Sequence, residues 1–237
     1  MSLALENLVL ETTRRCNMRC PHCLRGPAQA IDMSNAVIDR ITTAADQIIR
    51  LTITGGEPSL NGNAIHHLRW SSHFNSCMLE SFWLTVNARF FKQDFYDAIR
   101  ELHSVSGFKD ECTLTISGDQ YHGKRSRKAV DMYSDLPFFS DVWLNRMIED
   151  DRLLDEGMAR RNGIGRREHQ YIKTVIEDYD QVGDSLYIED TIYINAKGDV
   201  LLCCDLSYRT QKKYSIGNVL TEPLEQILRR GLKASAA

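Results

Sequence analysis

Nowhere in the 237 residues do eighteen or so apolar residues run together, so no membrane-spanning helix is expected. The opening Met1-Ser2-Leu3-Ala4-Leu5-Glu6 lacks the basic n-region and long apolar h-region of a secretory leader, and the expected address is cytoplasmic. An excess of charge is missing too. The 29 Lys and Arg nearly balance 32 Asp and Glu, for a net charge of -3, which removes any global electrostatic case for nucleic acid or an anionic membrane as partner. Internal repeats and low-complexity segments are absent. Core material is not scarce: 43% hydrophobic and 26% charged residues are ordinary globular proportions, and the length suits one compact α/β domain with a small appendage.

Cysteine is present, but not as a disulfide framework. Seven is an odd number, and the residues fall into a triplet (Cys16, Cys20, Cys23), two singles (Cys77, Cys112) and an adjacent pair (Cys203, Cys204). In a cytosolic chain such clustering points to metal or redox chemistry. Three closely spaced thiolates can hold three corners of a [4Fe-4S] cluster and leave one iron open to a non-protein ligand. A structural zinc site would need a fourth ligand, usually from a second pair at characteristic spacing; none is obvious, and His22 adjoins Cys23. Cys77 and Cys112 read as buried small apolar residues.

Apolar, β-prone runs alternate with segments of helical period, the pattern of parallel strands joined by crossover helices. Strands are predicted near Leu8 to Thr12, Leu51 to Thr54, Phe82 to Val86, Cys112 to Ser117 and Val142 to Met147. Ser34 is placed to cap a helix whose apolar face carries Val37, Ile38, Ile41, Ala44, Ala45, Ile48 and Ile49, and a second helix is predicted over Gln93 to Leu102. Past residue 150 the pattern loosens, with a boundary expected near 180. Thr191 to Asn195 and Val200 to Cys203 then flank a Gly-containing turn as a β-hairpin, followed by a short helix with Pro223 in its first turn. The resulting division is 1–180 and 181–237.

In parallel α/β sheets, functional groups collect on loops leaving the carboxyl ends of strands. The cysteine loop follows the first predicted strand, and Gly55-Gly56-Glu57-Pro58 follows the second, so both belong on one rim. The glycines would let backbone approach a ligand closely, and Glu57 could pair with an ammonium group.

The spacing Cys16-x3-Cys20-x2-Cys23, with the ring of His22 before the last cysteine, resembles the cluster motif of the radical S-adenosylmethionine superfamily. Gly55-Gly56-Glu57-Pro58 resembles that family's segment contacting the methionine amino group. The resemblance covers about residues 5 to 150. It implies a partial (β/α)6 TIM-like barrel with a [4Fe-4S] cluster on Cys16, Cys20 and Cys23 and with S-adenosylmethionine as second cofactor, contacted by Gly55, Gly56 and Glu57. The activity implied is reductive cleavage of that cofactor to a 5'-deoxyadenosyl radical that abstracts hydrogen from a substrate. Ile116 to Arg125 resembles the fourth-strand region of superfamily members that modify peptides or build cofactors, with glycine and aspartate in reversed order. It makes Ser117 a cofactor contact, and Asn87 and Asn145, at the ends of strands three and five, are ribose candidates.

The terminal hairpin, with Ile216-Gly217-Asn218-Val219 after it, resembles the entry to SPASM or twitch extensions, which carry auxiliary clusters. No cysteine lies in the twenty-odd residues before Gly198 and none follows Cys204, so a shortened, cluster-free extension is expected, against a partial site. The implied partners are a peptide or natural-product substrate and a flavodoxin- or ferredoxin-like one-electron donor. The alternatives are an activating enzyme for a glycyl-radical partner, or a non-catalytic iron-sulfur or zinc module. The basic residues Lys124, Arg125, Arg127, Lys128, Arg160, Arg161, Arg166 and Arg167 read as solvated faces in preference to an acidic docking site. His66 and His67 fall on a surface helix, and Phe82, Trp83, Phe90, Phe91, Phe95 and Tyr96 fit core and helix packing.

Overall fold

The computed structural model describes residues 2–144, 147–149, 152–169 and 171–232. In chain order, β1 (Leu3–Thr13), α1 (Asn35–Ala44), β2 (Gln47–Gly55), α2 (Gly62–Phe74), β3 (Met78–Val86), α3 (Gln93–Val105), β4 (Thr113–Ile116), α4 (Arg127–Ser134) and β5 (Phe139–Ser140) make four successive strand-helix-strand units. The short α5 (Gly157–Arg161) follows, then β6 (Tyr179–Val182), β7 (Ser185–Ile194), β8 (Asp199–Leu201), α6 (Tyr208–Tyr214), β9 (Gly217–Asn218) and α7 (Leu224–Gly231). The sheet runs β5-β4-β3-β2-β1-β7-β8-β9, with β6 antiparallel beside β7. From β5 through β7 every pairing is parallel, so six parallel strands form an open sheet, the partial α/β barrel expected.

β1 is the central strand, flanked by β2 and β7, and from Leu8 to Thr13 it is buried on both faces, as a parallel strand covered by helices must be. Leu5, Leu8, Leu10, Ile48, Leu51, Ile53, Leu84 and Leu114 share one core with Val37, Ile38 and Ile41 of α1 and Phe95, Ala98, Ile99 and Leu102 of α3. The parallel crossovers bring the loops after β1, β2, β3 and β4 to one edge of the sheet, which is where the site forms.

Several predicted boundaries move. Helix α1 stops at Ala44, and Ile48 and Ile49 belong to β2; two intervening residues suffice for the switch because Asp46 accepts from the Leu3 amide through its side chain (2.7 Å) and donates its own amide to the Leu3 carbonyl (2.8 Å), pinning the turn to β1. Ser34 sits at the cap of α1 without a side-chain cap hydrogen bond. The fifth strand is two residues at Phe139–Ser140, extended only by a parallel bridge from Gly118 to Leu144; Asn145 lies outside the described residues. Pro223 is the residue before α7 and not within its first turn. Cys77 and Cys112 are buried as expected, whereas Trp83 and Phe90 are exposed, Trp83 because it faces outward on β3. His67 meets Asp39 at 2.7 Å and His66 meets Glu101 at 3.3 Å on α2. No helix among the described residues is long and apolar enough to cross a membrane.

Candidate cluster and cofactor site

A cavity of about 880 Å³ opens at the carboxyl edge of the parallel strands. Cys16, Cys20 and Cys23 line it from the loop after β1, Gly55, Gly56, Glu57 and Pro58 from the loop after β2, Asn87 from the end of β3 and Ser117 from the end of β4. Eight of the nine predicted site residues thus meet in one space; the ninth, Asn145, is the one outside the described residues.

The glycines are dictated by neighbouring backbone. A Cβ on Gly55 would stand 2.3 Å from the Thr13 carbonyl oxygen, and one on Gly56 2.3 Å from that of Arg15. The close approach lets the Gly56 amide donate to Thr13 (2.8 Å) and the Glu57 amide to Arg15 (2.8 Å), stitching the start of the cysteine loop to the end of β2. The Glu57 carboxylate is 2% exposed and already engaged: it accepts from the Ser59 hydroxyl (2.5 Å) and amide (3.3 Å) and from the Asn87 amide (2.9 Å). Its side chain therefore ties the loop after β2 to the end of β3, a positioning contact that the expected ammonium pairing had not included. Burial, only partly offset by those donors, raises its pKa from 4.5 to about 7. The Asn87 side chain donates to Asn17 (2.8 Å), inside the cysteine loop.

The thiols sit in a partly buried loop. Burial pushes Cys20 up to about 12, helped by the neighbouring thiols of Cys23 and Cys16, and burial also raises Cys16. Such groups become thiolates when a cation compensates them. Thiolates on one tetrahedral zinc ion, with Zn–S of about 2.3 Å, would stand about 3.8 Å apart. The three sulfurs do not gather that way: among the described residues, the one group of three candidate ligand atoms within 4.8 Å of one another is His22, Asp119 and His122. Three separated thiols around a roomy cavity fit a multinuclear cluster, in which each sulfur takes a different iron.

Residues that sequence reasoning missed hold this loop. Met158 at the start of α5 donates its amide to the Cys23 carbonyl (2.8 Å), and the Asn162 side chain donates to the Pro21 carbonyl (2.9 Å). Gly157 makes this possible; with φ of +55° and a Cβ position 2.1 Å from the Leu24 carbonyl oxygen, it admits no side chain. From the other side, Arg25 donates to the Cys204 (2.6 Å) and Leu206 (2.8 Å) carbonyls and lies 4.8 Å over the Tyr193 ring, while the Tyr208 amide donates to the Arg25 carbonyl (3.0 Å). Beneath lies a buried polar network. Glu11 accepts from Arg14 (2.6 Å), the Ala196 amide (3.1 Å), Tyr193 (2.5 Å) and Gln211 (3.2 Å), and Arg14 donates onward to Gln211 (2.5 Å). The only signal for these contacts was an isolated glycine at 157. The two other thiols, Cys203 and Cys204, are half-buried and unpaired by disulfide.

The fold and this edge define an open parallel α/β barrel with a three-thiol loop and a glycine-lined cavity. Residues 187–234 match the SPASM family, an iron-sulfur cluster-binding domain. A curated relative, the uncharacterized protein MJ0907 of Methanocaldococcus jannaschii, is 28% identical over 104 residues, which cover 41% of this chain and 36% of that protein; the match spans about a third of the relative's length. Among solved structures, native anSMEcpe with bound AdoMet and Cp18Cys peptide has the same fold, with a TM-score of 0.57 at 11% identity over 98% of this chain and 83% of that one. SuiB of Streptococcus suis bound to the precursor peptide SuiA scores 0.47 at 12% identity, over 94% of this chain and 64% of that one. The chain thus shares its fold with native anSMEcpe and carries a segment, residues 187–234, that matches the SPASM family.

Proposed function

We propose that this chain is a radical S-adenosylmethionine enzyme acting on a peptide. The observation that carries the reading is the convergence of Cys16, Cys20, Cys23, Gly55, Gly56, Glu57, Asn87 and Ser117 on one cavity, from four loops on one edge of the sheet. Cys16, Cys20 and Cys23 would hold three irons of a [4Fe-4S] cluster, with S-adenosylmethionine at the fourth beside Gly55, Gly56 and Ser117. When bound, the pair supplies a 5'-deoxyadenosyl radical by one-electron cleavage of the cofactor.

The protein's own part is positioning. The Glu57 carboxylate locks the end of β3 against the loop after β2, so the backbone facing the cofactor is fixed before binding. Leu153, Leu154 and Met158 add apolar side chains to the cavity lining, beside Arg152 and Arg161 of the same segment. Residues 1–180, with β7 added as the sixth parallel strand beside β1, form the catalytic part on this reading. The part of residues 181–237 that follows β7 is a shortened extension that braces the cysteine loop, its Cys204 and Leu206 carbonyls and Tyr208 amide all meeting Arg25. A peptide substrate is favoured over a small natural product because the protein sharing the fold binds a peptide. The one-electron step calls for a flavodoxin- or ferredoxin-like donor.

The test is anaerobic reconstitution with iron and sulfide, then dithionite and S-adenosylmethionine, with 5'-deoxyadenosine quantified. Wild type should form it, and Cys20→Ala should form neither cluster nor product while remaining folded. Normal product from Cys20→Ala, or none from a fully loaded wild-type cluster even with an electron donor and peptide substrates, would overturn the reading.

A further inference from the structure

We infer that His22, Asp119 and His122 form a second, mononuclear site for a divalent transition-metal ion at the rim of the cavity. The three side chains come from two loops, after β1 and after β4, and their ligand atoms lie within 4.8 Å of one another. Nε2 of His22 stands 3.6 Å from one Asp119 carboxylate oxygen, and Nδ1 of His122 stands 2.7 Å from the other. Neighbouring ligands around an ion with metal–nitrogen distances of about 2.0–2.1 Å are separated by about 2.9 to 3.4 Å, so small rotations bring the set onto one centre. Two imidazoles and a carboxylate are a donor set suited to zinc, iron or cobalt, and three protein ligands leave positions open.

The surroundings favour a bound cation. All three side chains are largely buried, with exposures of 15%, 8% and 16%. Among the contacts described, the Asp119 carboxylate meets the two imidazoles and the Tyr121 amide, which donates to it at 2.9 Å, and no lysine or arginine. The His22 ring is held between Tyr121, 4.7 Å away centroid to centroid, and His122, at 5.2 Å, so its orientation is preset. Without metal, His122 Nδ1 and the Asp119 oxygen share a hydrogen bond; a divalent ion would take the place of that proton, which a neutral imidazole then carries on Nε2. His22 and His122 both line the cavity, so an open position of the ion faces the space a substrate oxygen would enter.

The site is independent of the cluster and can be tested without it. In full-length protein carrying Cys16→Ser, Cys20→Ser and Cys23→Ser, Co²⁺ titration should load one ion per chain, with visible d–d bands free of thiolate charge transfer. Adding Asp119→Ala or His122→Ala should weaken binding at least tenfold. Should the triple variant not fold, anaerobically reconstituted wild type exposed to Co²⁺ and desalted should retain one cobalt per chain beside its iron, and His122→Ala none. No stoichiometric cobalt, a spectrum showing thiolate ligation, or binding unaffected by both Asp119→Ala and His122→Ala would overturn the inference and leave Asp119 as an orienting hydrogen-bond partner.

Discussion

Replacing Glu57 by Gln removes one buried ionisation and should change how stability depends on pH. The carboxyl titrates at 4.5 when unfolded and at about 7 in the folded chain, because burial opposes the charged form more than Ser59 and Asn87 favour it. That difference corresponds to about 3 kcal/mol at 1.36 kcal/mol per pKa unit. The raised folded pKa fixes the sign: the advantage of the protonated carboxyl is fully present below pH 4.5 and lost as pH rises through about 7. Glutamine cannot ionise, so subtracting its stability from that of wild type isolates the effect from the other titrating groups. Urea unfolding of both cluster-free proteins at pH 4.5 and pH 8 should show wild type losing about 2 to 3 kcal/mol relative to Glu57→Gln over this interval. The absolute offset between them is a separate matter, since the glutamine NH2 would face the Asn87 amide in one of its two orientations. A difference that stays constant to within about 0.5 kcal/mol from pH 4.5 to pH 8 would refute the desolvated carboxylate.

Gly56→Ala must push a methyl group against the Arg15 carbonyl oxygen and sever the Thr13 and Arg15 hydrogen bonds, costing about 2–4 kcal/mol by thermal or urea unfolding. Gly163→Ala, with nothing within 4 Å of its Cβ position, should cost only about 1 kcal/mol for its φ of +66°. Arg25→Met keeps much of the bulk but strands the Cys204 and Leu206 carbonyls; a loss of about 2–4 kcal/mol and faster iron release to a chelator are expected, and unchanged iron retention would show that the extension does not brace the cysteine loop.

The strands and the rim were legible because both are local: apolar runs mark β1 to β4, and in a parallel sheet the loop after each strand falls on one edge whatever the details. Ile48 and Ile49 misled because they continue the helical spacing of α1, while the Asp46 contacts that end the helix lie on β1, more than forty residues away in sequence. The Glu11 network was invisible for the same reason. Glu11 looks like a polar residue in a strand, and its partners Tyr193 and Gln211 are 182 and 200 residues away. Glu57 was found from its motif, but its contact with the Asn87 amide depends on the exact end of β3, which spacing alone could not supply.

The pairing of β7 with β1 orders events during synthesis. The first strand has β2 on one side as soon as residue 55 emerges, but its other edge is completed by residues 185–194, and the hydrogen bonds from Arg25 to residues 204 and 206 come later still. Until most of the polypeptide has left the ribosome, the cysteine loop lacks one of its walls, and its thiols are open to oxygen and stray metal ions. On the proposed function, loading of iron and sulfide follows translation, and a chain truncated before residue 185 should present the whole cysteine motif yet hold a cluster poorly.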